Sequence, residues 1–214
     1  LLYFFNWVNG HVAATMDGET KKKVIPELMP RTLYFFRWGA AWTWITGVVL
    51  MLLVYWMGMN DAMFKELELD EAANPFKHLA YVLPFLMVFV YDAFYKSPLA
   101  SNVRVATIIS FLGIGGVLCL LICVTEMVEY RAYNIHVGAM FGSMMAFNVW
   151  FRIWPAQQKI ITAIKNGDAP NPADAGLAGL RSKHNTYMSV PLIWTMMNEH
   201  TTVVSHYLGG YGVL

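Results

Sequence analysis

Charge is scarce in this chain. Only 14% of its 214 residues are charged and 57% are hydrophobic, where an ordinary soluble domain carries about 25% charged residues. That balance excludes a typical water-soluble globule and predicts an all-α, polytopic transmembrane bundle. There is no basic stripe, so nucleic acid is not an expected partner. Cysteine is limited to Cys119 and Cys123, spaced C-x-x-x-C in an apolar run, without the C-x-x-C-H of covalent haem attachment or the spacing of a zinc site. They read as small packing residues, and no metal site is expected. Ionisable residues are nearly absent from the apolar stretches, which argues against a transporter, whose path needs them.

What is present is a series of apolar stretches separated by polar loops. Leu1–Gly10 reads as the second half of one span. Complete spans are predicted over Trp38–Met59, His78–Tyr95, Val105–Val124, Tyr133–Pro155 and Thr186–His200, giving about six, the first partial. Residues 1–214 then form a single integral-membrane domain, expected to be the interior of a longer chain. Pro26 and Pro30 are expected to break the polar segment His11–Arg37, and a polar connector is expected between Pro155 and Thr186. Segments His11–Arg37, Asp92–Arg104 and Arg152–His184 hold twelve of the fifteen Lys and Arg, so the positive-inside rule places them in the cytoplasm of a bacterial inner membrane. Trp42, Trp44 and Trp56 read as interfacial or packing aromatics.

Two stretches suggest close helix packing: Gly113, Gly115 and Gly116, and the small-x-x-x-small series Gly138, Gly142 and Ala146. Asn148, a carboxamide in an apolar helix, requires a partner on another helix. No residue is identified as catalytic, but two groups are candidates for binding.

The first group is histidine. His78, His136 and His200 fall at the outer ends of three predicted helices, and imidazoles on facing helices are a common way to hold a b-type haem. His136 and His200 are the candidate axial ligands, with His78 weaker, in a slot lined by Met140, Phe147, Met196 and Met197. The bland alternative is that each is a hydrogen-bonded interfacial side chain. The second group is Arg152, Arg181, His184 and Asn185 near the cytoplasmic mouth, where an anionic substrate or lipid headgroup could be held by charge-assisted hydrogen bonds. Ordinary cytoplasmic anchoring of two helix ends accounts for the same residues.

HVGAMFGSMMAFNVWFRIWPAQQKI (His136–Ile160), followed after Gly167, Pro170 and Pro172 by RSKHNTYMSVPLIWTMMNEH (Arg181–His200), closely resembles the membrane domain of the PuuD-type bacterial urate oxidases. PRTLYFFRWGAAWTWITG (Pro30–Gly47) and YDAFYKSPL (Tyr91–Leu99) are similar to segments of the same family. The positions that match are His136, Gly138, Ala139, Gly142, Asn148, Pro155, Gln157, Arg181, Ser182, His184, Asn185, Tyr187, Pro191, Met196 and His200. The resemblance implies an eight-helix membrane domain joined to a cytochrome c module that links substrate oxidation to the respiratory chain. This chain has no haem c motif. Two functions are therefore expected to compete: a membrane redox protein passing electrons to a periplasmic cytochrome c domain or protein, and a non-catalytic scaffold subunit of a larger respiratory or photosynthetic complex.

Overall fold

The computed structural model describes residues 2–57, 76, 78–124 and 130–198. Among these the regular structure is helical. A π turn at Phe4–Val8 leads into α1, Asn9–Thr15, and α2 runs Gly18–Met51 with a π turn at Leu52–Met57. Then follow α3, Leu79–Phe94; α4, Val103–Cys119, with a π turn at Leu120–Val124; α5, Tyr130–Asn148; a π turn at Val149–Ile153; α6, Trp154–Asn166; and α7, Pro172–Asn198.

The ends are set by local chemistry. Asp17 accepts the Thr20 amide and hydroxyl, both at 2.8 Å, in front of α2, and Asn102 accepts Arg104 N at 3.1 Å in front of α4, each meeting a donor that the first turn leaves unpaired. Gly167 stops α6. Its φ of +85° lies in the left-handed region, and Asp168 N then reaches back to Ala163 O at 2.9 Å, as the αL helix ending requires.

Two boundaries differ from the sequence reading. Pro26 and Pro30 lie inside α2 and do not break it. Each removes one backbone bond, costing about 3 kcal/mol in a helix interior, and the loss is offset by tertiary burial, since Met29 and Leu33 pack with Ile161 and are covered by Phe5, Ile25 and Trp154. The connector predicted after Pro155 is helical through Asn166 and again from Pro172. Pro155 stands just after the π turn Val149–Ile153, in helical backbone that runs on without a break, and the Phe151 carbonyl in the turn before it accepts from Arg152. The inward face of α6 buries Ala156 and Ile161.

The chain divides into two compact units: residues 1–46 with 145–190, and residues 47–144 with 191–214. In the first unit the N-terminal segment is tied to α7 by Tyr3 Oη to Ser189 Oγ at 3.2 Å and Asn6 Nδ2 to Thr186 Oγ1 at 2.9 Å. In the second, α3 and α4 are joined by Tyr95 Oη to Ser110 Oγ at 3.0 Å, and Asp92 is paired with Lys96 at 2.8 Å.

Among the described residues two helical segments, Gly18–Met57 and Val103–Val124, are long and apolar enough to cross a bilayer. Little of either apolar window is buried against protein, 6% and 17%. Phe35, Phe111 and Leu112 are each about 70% exposed. Leu79–Phe94 is a shorter apolar helix.

The glycine readings need correction. A Cβ at Gly138 would meet Thr195 Oγ1 at 2.7 Å, but one at Gly142, Gly113, Gly115 or Gly116 would meet nothing within 4 Å. Among the described residues the close approach is therefore at Gly138, where α5 meets the side chain of Thr195, and not at Gly142. Cys119 and Cys123 are exposed, not buried among packing side chains, because both fall on the outward side of the segment Val103–Val124.

Candidate functional site

The histidine and arginine groups fall in different units, so each is described by itself. In the second unit α5 and α7 run antiparallel at their contact. Asn134 Nδ2 donates to Thr195 O at 2.7 Å, and Gly138, one turn on, faces Thr195 and Leu192. His136 lies between these positions and is fully buried.

Both of its ring nitrogens are engaged. Nδ1 is 2.7 Å from Ala132 O, and Nε2 accepts the indole N–H of Trp56 at 3.2 Å. A carbonyl can only accept, so Nδ1 carries the proton and Nε2 the lone pair. Tyr55 stands edge-on to the imidazole at 6.2 Å and Trp56 lies at 6.4 Å between ring centres. Trp56 also packs on Tyr81, 5.3 Å away, which in turn stacks on the exposed His78 at 5.8 Å.

A b-type haem was tested against this arrangement. The Nδ1–H bond to a backbone carbonyl suits a haem ligand, because it fixes the tautomer with Nε2 available. Nε2, however, is occupied by Trp56, His136 has no exposed surface, and Met196 and Met197, expected to line the slot, are exposed. The described residues as arranged do not fit the group, since Trp56 would have to leave before iron could bind. His200, the expected second ligand, lies outside the described residues.

In the first unit α5 and its continuation meet α7 through amides. Asn148 Nδ2 donates to Asn185 Oδ1 at 2.9 Å, and Asn185 Nδ2 donates to Met145 O at 3.1 Å. Both asparagines are buried, and the partner required for Asn148 is thereby found on another helix. Arg181, one turn before Asn185, is 1% exposed. His184 is half-buried beside it. Burial, and then the positive charge of Arg181, push the His184 imidazole down to about 4, so it is neutral at pH 7 and leaves the cationic role to Arg181. Arg152 places its guanidinium 5.3 Å from the ring centre of Phe147 and donates to Phe151 O at 3.0 Å.

The His184 environment predicts a pH effect. The unfolded chain takes up a proton near the ordinary value of 6.5, whereas the folded chain resists it until about 4. The unfolded state thus binds more protons within that window, and stability falls as the pH is lowered through it. Thermal unfolding in detergent at pH 7.5, 6 and 4.5 is expected to show a falling midpoint that flattens in His184→Gln. An equal slope in the two proteins would remove His184 as the cause.

Two residues in these surroundings were read from sequence only as an aromatic and a loop cation. Trp56 reads from the sequence as an interfacial or packing aromatic, although an indole N–H that is buried needs an acceptor, and here that acceptor is His136. Arg37 has its guanidinium carbon 4.1 Å from the ring centre of Trp154 and 5.0 Å from that of Trp150, and Trp150 Nε1 donates to Arg37 O at 3.1 Å. Nothing in the sequence pointed to that arrangement, because Arg37 lies 113 positions from Trp150 and the arginine beside the two tryptophans in the chain is Arg152.

No curated protein and no solved structure matches the chain. A family model does, and the helices that carry Arg37, His136, Asn148, Arg181 and Asn185 all lie within the match. It is the one described as urate oxidase N-terminal and covers residues 16–211; the chain belongs to that family.

Proposed function

We propose that this chain is an integral-membrane redox protein of the bacterial inner membrane, multi-pass, that passes electrons toward a periplasmic cytochrome c domain or protein. The observation that carries the membrane part is the pair of helices whose apolar windows are only 6% and 17% covered by protein. At about 25 cal/mol per Å², leaving those surfaces in water is untenable, and lipid is the solvent that suits them. The redox part is supported by membership of the urate oxidase N-terminal family. On this reading the charge of the buried Arg181 draws an anionic substrate to this end of the helix pair, where neutral His184 lies beside it, the Asn148–Asn185 bond joins the two helices, and Arg152 stands near the same end.

A second reading is favoured by the engagement of both His136 nitrogens: a scaffold subunit of a larger membrane complex, in which His136 is a structural hydrogen-bonding post. One preparation separates the two. Membranes carrying the protein should reduce added ferric cytochrome c when supplied with urate, and Arg181→Gln should reduce the rate about tenfold or more, as for loss of about 1.4 kcal/mol or more of substrate binding. Absence of any reduction leaves the scaffold reading. A reduced-minus-oxidised spectrum of the same purified protein decides the haem: a low-spin Soret signal lost in His136→Ala would place haem b at His136 and His200, with Trp56 displaced.

A further inference from the structure

We propose that Arg37, held by Trp150 and Trp154, is a binding site for the phosphate of an anionic phospholipid; this rests on the membrane reading above. A guanidinium has two separate ways to interact. Its faces stack on aromatic rings, and its edge donates hydrogen bonds to paired oxygens. Here the faces are taken: the guanidinium carbon lies 4.1 Å from the Trp154 ring centre and 5.0 Å from that of Trp150.

The edge is not. Among the described residues no side-chain hydrogen bond or ion pair is made by Arg37, and its Nε is buried with no acceptor. A buried donor left in this state is unfavourable, and an oxyanion that reaches it along the edge of the guanidinium removes that penalty. The stack also lowers the ordering cost of binding, because the side chain is already fixed before the ligand arrives. The acids of the same helix are occupied elsewhere, Glu19 with Lys22 and Glu27 with Arg31.

Oxyanions come from solution or from lipid, and the surroundings select lipid. Along α2, immediately beside Arg37, Tyr34, Phe35, Trp38 and Trp42 are exposed, and Trp38 packs edge-on against Trp150 at 5.3 Å. An exposed aromatic surface next to a cation is the pattern of the membrane interface, where rings meet the headgroup region and acyl chains lie below. Phosphate at Arg37 would leave its acyl chains against this apolar face. A free phosphate has no use for it.

The test uses the full chain purified in a mild non-ionic detergent. Added phosphatidylglycerol should raise the unfolding midpoint saturably, and native mass spectrometry should show one retained phosphatidylglycerol. Both effects should be lost in Arg37→Gln and weakened in Arg37→Lys, which keeps the charge but not the planar fork, while Arg31→Gln, at an exposed pair on the same helix, should behave as the unaltered protein. An equal response in Arg37→Gln overturns the proposal, as does an equal response to phosphatidylcholine. Saturation by inorganic phosphate alone overturns the lipid assignment. If Arg37→Gln does not fold, weakened lipid retention in Arg37→Lys supports the site and undiminished retention overturns it. Recovery of the protein in the aqueous phase without detergent would instead overturn the membrane reading.

Discussion

Gly138→Leu is expected to lower the unfolding midpoint by about 6–12 °C, corresponding to roughly 3 kcal/mol of overpacking in a chain of this size. A Cβ at this position would already lie 2.7 Å from Thr195 Oγ1 and 3.4 Å from Thr195 Cβ. Thr195 is poorly placed to yield. Its hydroxyl donates to Leu192 O at 2.8 Å and its carbonyl receives Asn134 Nδ2 at 2.7 Å, so rotating it gives up one bond and moving its backbone strains the other. Leu at Gly142, where nothing lies within 4 Å of the added carbon, is expected to leave the midpoint unchanged or slightly higher, because replacing glycine inside a helix gains up to about 1 kcal/mol of propensity. The measurement is thermal unfolding of the two variants side by side in one detergent. Equal losses would mean that the contact is distributed along the series and not concentrated at Thr195.

The second large effect is expected at Asn185, which both accepts from Asn148 Nδ2 and donates to Met145 O. Asn185→Leu withdraws two hydrogen bonds from buried surroundings at once. A buried group deprived of its partner costs about 1–3 kcal/mol, whereas interhelical bonds in a bilayer average nearer 0.6 kcal/mol. Taking about 1 kcal/mol for each bond, the loss is about 2 kcal/mol, or about 4–8 °C. Asn148→Leu removes only the first bond and is expected to cost about half as much. The double variant should be less destabilised than the sum of the singles, since no orphaned amide remains at the pair. Strict additivity in that cycle would show that the Asn148–Asn185 bond contributes nothing.

The positions of the apolar helices were readable because their signal is local: α3 was expected over His78–Tyr95 and is found at Leu79–Phe94, and the Val105–Val124 stretch is found at Val103–Val124. The α2 start and the α6 helix were not, for the reason that Pro26, Pro30 and Pro155 carry opposite meanings in different contexts. A proline breaks an isolated helix, but one whose neighbours Met29 and Leu33 are buried against Ile161 stays within it. Likewise the small residues of α5 were visible as a series, yet which of them is pressed depended on where Thr195 falls on the facing helix.

By itself the sequence determined the helical class and the scarcity of charge, which follow from composition, the family, which follows from its long motifs, and the need of Asn148 for a partner, which follows from the chemistry of one residue. Only the tertiary structure decided which groups meet. It paired Trp56 with His136 and so occupied the nitrogen that a haem would require. It joined Asn148 to Asn185, buried Arg181, and laid Arg37 against two indoles with its Nε unpaired. These are contacts between residues 37 to 117 positions apart in the chain, with the buried Arg181 set among them, and a hydrogen bond of about 3 Å depends on helix rotation and depth that no single-helix periodicity specifies.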